Sequence, residues 1–136
     1  MADVHDKATR SYNMSRIRGK DTKPEMVVRR FLFGMGYRYR VNDARLPGKP
    51  DIVLPKYKTV IFIHGCFWHG HKACRYFVIP KTRKQFWINK IESNRDRDKI
   101  NTRKLKKTGW RVIEVWECGL KANKVNRTLR KLAEQI

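Results

Sequence analysis

The stretch His64-Gly65-Cys66-Phe67-Trp68-His69-Gly70-His71-Lys72-Ala73-Cys74 gathers three histidines and two cysteines at the end of an apolar run, Thr59-Val60-Ile61-Phe62-Ile63. A shorter apolar run, Ile52-Val53-Leu54, opens on a carboxylate, Asp51, and is joined to the first through Pro55-Lys56-Tyr57-Lys58. Imidazole is a general base suited to neutral pH. A carboxylate with a main-chain carbonyl can hold Mg²⁺, a hard cation that prefers oxygen and keeps several waters. Thiolates and imidazole together hold zinc. These residue types at the ends of two adjacent runs fit metal-assisted hydrolysis of a phosphodiester beside a structural metal.

The zinc set is Cys66-x4-His71-x2-Cys74 completed by the distant Cys118, which uses every cysteine in the chain. A Cys3His set is closed and tetrahedral, with no position left for substrate. The alternative is three reduced cysteines with only a packing role. With His71 assigned to zinc, His64 and His69 are left to act, and Asp51 to anchor Mg²⁺. Glu25 completes a Thr22-x-x-Glu25 capping box; its other reading is an auxiliary acid near the metal. Phe67, Trp68 and Trp87 stand beside basic segments, where flat side chains stack on or enter between bases. Core packing is the competing role, about as fitting for Trp87. It fits Phe67-Trp68 less well, since neighbours on an extended segment face opposite ways.

The elements that must position these residues follow from periodicity and punctuation. Asp21-Thr22-Lys23-Pro24-Glu25 starts a helix, with a capping residue ahead of proline, and Gly34-Met35-Gly36 stops it. Tyr37-Arg38-Tyr39-Arg40-Val41 alternates as a half-exposed strand. The Asp51 run and the Thr59–His64 run form a buried hairpin. The segment Pro80–Lys107 starts as a loop and continues as one long basic helix that ends at Gly109. Trp110–Trp116 alternates as a further strand, and a helix over about Ala122–Glu134 closes the chain. Helix, two or three strands, long helix, strand, helix is the order of a three-layer α/β arrangement with a mixed sheet between helices. Residues 1–20 read as a basic arm, or as a short amphipathic helix on Met14 and Ile17; residues 21–136 read as a single domain.

Charge names the partner. The 136 residues carry a formal net charge of +21 and a pI near 10.5. Such a surplus attracts polyanions, of which nucleic acid is the commonest. The basic arm can lie in a DNA groove, with Met14 as a wedge between base steps. No run is long enough to span a membrane, and the opening residues lack the apolar core of a secretion signal. The expectation is a reducing, cytoplasmic setting, where clustered Cys and His signify metal rather than disulfides.

At Pro50-Asp51, Val60–His69, Phe86-Trp87, Gly109–Val112 and Val115–Cys118, with Asp6–Ser11 and Asn13-Met14, the chain resembles the very-short-patch-repair (Vsr) DNA mismatch endonucleases. The resemblance implies a restriction-endonuclease-like fold, a variant of the PD-(D/E)XK superfamily. It also implies a Mg²⁺-dependent nick on the 5′ side of the thymine in a T·G mismatch, the lesion left when 5-methylcytosine deaminates. It makes Asp51 a metal ligand, His69 the general base, His64 a second catalytic histidine and Glu25 a supporting acid. Phe67, Trp68 and Trp87 match an aromatic wedge, Met14 an intercalating residue, and Cys66, His71, Cys74 and Cys118 a structural zinc set. Two departures stand out. Ile63 replaces a common Thr, so that only its main-chain carbonyl is left to ligate Mg²⁺, and the Gly70–Cys74 loop differs in length and histidine content. Phe62-Ile63-His64 also occupies the place of the acid-x-Lys found in the wider superfamily. The implied partners are mismatched double-stranded DNA and other mismatch-repair proteins, with the enzyme a monomer acting on the bacterial nucleoid. The rival functions are another restriction-type or structure-specific nuclease and a zinc-stabilised DNA-binding module without catalysis. The module would have no use for Asp51, His64 and His69.

Overall fold

The computed structural model describes residues 22–136; Met14 and the basic arm lie outside the described residues. Helix α1 (Lys23–Gly34) is followed by strands β1 (Arg40–Val41), β2 (Ile52–Leu54) and β3 (Thr59–His64). Helix α2 (Lys84–Lys107), strand β4 (Arg111–Trp116) and helix α3 (Val125–Gln135) complete the order. The sheet runs β1-β2-β3-β4, antiparallel across the first two pairings and parallel between β3 and β4. A parallel pair needs a long crossover, and α2 supplies it.

Strand alternation sorts the core into two faces. Ile52, Leu54, Ile61, Ile113 and Val115 pack with Val28 and Leu32 of α1 and Leu129 and Leu132 of α3. Val53, Val60 and Phe62 pack with Leu105 of α2 on the opposite face. The sheet is therefore covered on both sides, as the apolar runs of β2 and β3 require. His64 continues the Val60-Phe62 series and so faces α2, directly across from Trp116 in register.

Two boundaries differ from the sequence reading. The strand expected over Tyr37–Val41 is only two residues long. The expected alternation is kept, with Tyr37 and Tyr39 half-buried against the α1/α3 core and Arg38 and Arg40 exposed, and the Tyr39 hydroxyl donates to the Arg29 carbonyl at 3.0 Å. The last helix starts at Val125 rather than near Ala122, after a turn closed by Lys124 N–H to the Lys121 carbonyl at 2.9 Å.

Candidate active site

Helix α1 is capped as expected: the Thr22 hydroxyl accepts from Glu25 N–H at 3.4 Å. The Glu25 carboxylate accepts from Arg29 at 3.1 Å, one turn on, with both groups buried. Pro50 is fully buried and sets Asp51 at the head of β2. Asp51 reaches across the hairpin to accept the main-chain N–H of Ile63 at 2.7 Å. Burial pushes the Asp51 carboxyl up to about 7, against the opposing pull of that hydrogen bond; the negative charge of Glu25 adds to the rise.

β3 ends in a tight turn held by His69 N–H to the Gly65 carbonyl and His71 N–H to the Cys66 carbonyl. The turn returns His69 over His64, with ring centres 4.1 Å apart. His64 is buried at 4% exposure; burial, then the neighbouring His69, lower its pKa to about 4, so its ring is neutral at physiological pH. His69 Nδ1 lies 2.6 Å from the Asp98 carboxylate. A carboxylate only accepts, so Nδ1 carries a proton, and in the neutral ring the lone pair is then on Nε2.

Three residues of α2 grip this turn. Asn94 donates to the Trp68 carbonyl at 2.8 Å, Arg95 donates through Nε at 3.0 Å and through a second guanidinium nitrogen to the Gly70 carbonyl, and Asp98 holds His69. Gly70 sits at φ +59°, and a Cβ there would lie 2.5 Å from Arg95 Nε and 2.6 Å from Ile91 Cγ2. Gly70→Ala is expected to destabilise the fold by about 1–3 kcal/mol through left-handed strain and overpacking, as read from urea unfolding. A wild-type midpoint would refute the close approach of α2 to the turn.

Glu25, Asp51, Ile63, His64, Trp68 and His69 thus line one cleft of about 560 Å³, with Asp98 and Asn101 of α2 on its far wall. Asp98 is the residue that sequence reasoning missed. Among Arg95-Asp96-Arg97-Asp98 on a basic helix, either aspartate reads as a solvated carboxylate. The available signal is its helical spacing from Asn94 and the buried Ile91, which puts it on the inward face.

Oxygen donors suited to Mg²⁺ are present in this cleft in Asp51 and Glu25. Behind it, Cys66, His71, Cys74 and Cys118 place their ligand atoms within 4.8 Å of one another, as a closed metal set requires. His71 Nδ1 lies 3.6 Å from Cys66 Sγ and 3.4 Å from Cys118 Sγ. The three cysteines are unbridged. Trp116 joins the two centres: it stacks on His71 at 4.0 Å between ring centres, with 6° between planes, and lies 5.0 Å from His64.

The aromatic residues form one cluster. Phe67 meets Trp68 at 5.2 Å and Trp87 at 5.5 Å, Trp68 meets Trp87 at 5.9 Å, and Phe86 joins at 5.1 Å from Trp87. Opposite facing of Phe67 and Trp68 is not observed, because the segment is a turn rather than extended chain. Trp68 and Phe86 are each 45% exposed.

The solved catalytic domain of the homing endonuclease I-Bth0305I superposes with a TM-score of 0.57, covering 84% of this chain and 93% of that domain. At 20% identity, that likeness speaks for the fold. In sequence, the chain is 50% identical to the type II nicking enzyme V.NmeAIP of Neisseria meningitidis across the full length of both. It is 52% identical to the DNA mismatch endonuclease Vsr of Escherichia coli K12, over 89% of this chain and 77% of that protein. The family profile described as DNA mismatch endonuclease Vsr matches residues 2–75, more than half of the sequence. With that match and half-identical relatives spanning nearly all of it, this chain belongs to the Vsr family of DNA mismatch endonucleases.

Proposed function

We infer that the protein is a Mg²⁺-dependent endonuclease that nicks one DNA strand on the 5′ side of the thymine in a T·G mismatch. The observation that carries the chemistry is the meeting of Asp51 with an oriented His69–Asp98 pair in one cleft beside an exposed aromatic cluster. Family membership carries the substrate.

Asp51, with the main-chain carbonyl of Ile63, would hold Mg²⁺, and the side chain at 63 is then immaterial to ligation. When bound, Mg²⁺ supplies positive charge against the negative charge that develops on the scissile phosphate. His69 Nε2 takes the proton of the attacking water, while Asp98 fixes the ring's tautomer and direction. His64, neutral and buried, offers a hydrogen bond to a phosphate oxygen without adding charge. Glu25, locked to Arg29, shapes the cleft wall beside Asp51. Cys66, His71, Cys74 and Cys118 would hold a structural zinc that ties the turn after β3 to the end of β4.

Recognition divides between charge and stacking. The Lys and Arg surplus binds any duplex, with affinity that falls steeply as salt rises. Opening the stack costs least at a mismatch. Trp68 enters the gap, with Phe67 and Trp87 behind it and Met14 from the other groove. The test of the function is nicking of a T·G duplex against the same duplex with T·A. Comparable rates would replace this reading with that of an ordinary duplex nuclease. Base–aromatic stacking is worth about 1–3 kcal/mol per base, so Trp68→Ala should cut the mismatch preference by about tenfold or more. Affinity for paired DNA should barely change in fixed-salt titrations. Equal weakening on both duplexes would return Trp68 to a packing role.

One zinc per chain is expected to copurify. Cys118→Ser should lower thermal stability and soluble yield more than it lowers the rate of the folded fraction, because metal binding is coupled to folding. Elemental analysis that finds no zinc in folded, active protein would contradict the assignment.

A further inference from the structure

The cleft holds a second group of metal-capable side chains, distinct from the cysteine set. His64, His69 and Asp98 place one ligand atom each within 4.8 Å of one another. Two imidazoles and a carboxylate with an open position are a donor set for Zn²⁺ and its transition-metal neighbours. They are a poor set for Mg²⁺, which needs oxygens in near-octahedral array. Ligand atoms around tetrahedral zinc stand about 3.4 Å apart, given metal–ligand bonds of about 2.0–2.1 Å. His69 Nδ1 and Asp98, now 2.6 Å apart, open toward that value as the wider separations close, by rotation of His69 and Asp98, whose side chains are each 29% exposed. His64, packed between Phe62, Trp116 and His69, is the fixed member. Glu25, Asp51 and Glu117 line the same cleft.

We propose that His64, His69 and Asp98 form an inhibitory transition-metal site, at which Zn²⁺ engages His69 and stops nicking without displacing Mg²⁺ from Asp51. One cleft would then sort two cations by hardness, the activator onto oxygen and the inhibitor onto nitrogen. Binding at the trio stands on geometry alone, whereas the inhibition rests on the proposed role of His69.

The experiment uses the zinc-loaded protein, titrated with Co²⁺ in the absence of DNA. One saturable equivalent of Co²⁺ should bind and give weak visible bands without the thiolate-to-metal charge transfer that exchange at the cysteines would produce. Asp98→Asn and His64→Ala should each weaken that binding by about tenfold or more, a ligand being worth at least what its outer partners are. Circular dichroism on both variants checks that they fold. Absence of the extra equivalent, or unchanged affinity in both folded variants, overturns the site. In the second arm, free Zn²⁺ should inhibit nicking by the wild type at saturating Mg²⁺, and raising Mg²⁺ further should not relieve it. Relief by Mg²⁺ would place the zinc on Asp51 and overturn the proposal. Saturated binding with undiminished nicking would overturn its inhibitory half. If the protein nicks no mismatched duplex at all, the proposed function fails while the Co²⁺ arm still reads out the site.

Discussion

Asp51→Ala is expected to abolish Mg²⁺-dependent nicking while leaving affinity for mismatched duplex within a few-fold of wild type. Charge stabilisation by a bound cation is worth several kcal/mol of barrier, which is on the order of 10³-fold or more in rate. The Lys and Arg surplus that holds the DNA is untouched. The wild type should also show a pH signature. Its Asp51 carboxyl is raised to about 7 by burial, so below that pH a cation must displace a proton to bind. Apparent Mg²⁺ affinity should therefore fall by about tenfold for each unit of pH lost below 7. Linkage gives the matching effect on stability. The folded state binds the Asp51 proton more tightly than the unfolded chain, so this group's contribution to stability declines as pH rises from about 4 to about 7. Asp51→Asn removes that loss, and in Mg²⁺-free buffer at neutral pH it should melt higher than wild type. A variant that nicks at near-normal rate, or a Mg²⁺ affinity flat between pH 5.5 and 8, would remove Asp51 from the metal site.

The second large effect belongs to the His69–Asp98 pair. His69→Ala should slow nicking by about 10²–10⁴-fold under saturating Mg²⁺ and DNA. Asp98→Asn keeps the side chain's shape but can donate where the carboxylate only accepted, and the tautomer it favours withdraws the lone pair from Nε2. It should lower kcat on the order of 10²-fold with KM little changed. The deciding measurement is the double variant. If Asp98 acts only through His69, adding Asp98→Asn to His69→Ala costs nothing further, whereas independent roles would multiply. Multiplying losses would assign Asp98 a separate task.

Much of this arrangement was legible in the sequence, for identifiable reasons. The β2 and β3 runs are apolar on both faces because helices cover both faces of the sheet, so continuous Val and Ile marked them as strands. The meeting of Asp51, His64 and His69 in one cleft was readable because a carboxylate and imidazoles at strand ends have little to do in a core. The clustering of Cys66, His71, Cys74 and Cys118 was readable because every cysteine had to be placed and Cys118 lay just past a predicted strand. What stayed hidden is what tertiary contact decides. Asp98 differs from Asp96 only in which side of α2 it occupies, and nothing local says that the His69 turn lies on that side. The mutual packing of Phe67 and Trp68 depended on a turn whose residues gave no clear turn signal beyond Gly65 and Gly70. The alternation over Tyr37–Arg40 is kept in burial, and what the sequence did not reveal is that only Arg40 and Val41 find ladder partners on β2.

The N–H of Cys118 points at Cys66 Sγ from 3.4 Å away, yet the two residues are 52 apart in the chain. On the ribosome, Cys66, His71 and Cys74 emerge long before β4 and Cys118, so a nascent chain displays three quarters of a metal set with nothing to close it. The parallel partner of β3 is missing over the same interval, which leaves the hairpin edge unpaired. Completion of the sheet and completion of the Cys/His cluster thus wait on the same stretch of chain. A chain that stops before β4 is expected to keep both an open thiol cluster and an unpaired β3 edge. The fold thereby makes the turn that carries His69 depend on chain that follows Cys66 by 52 residues.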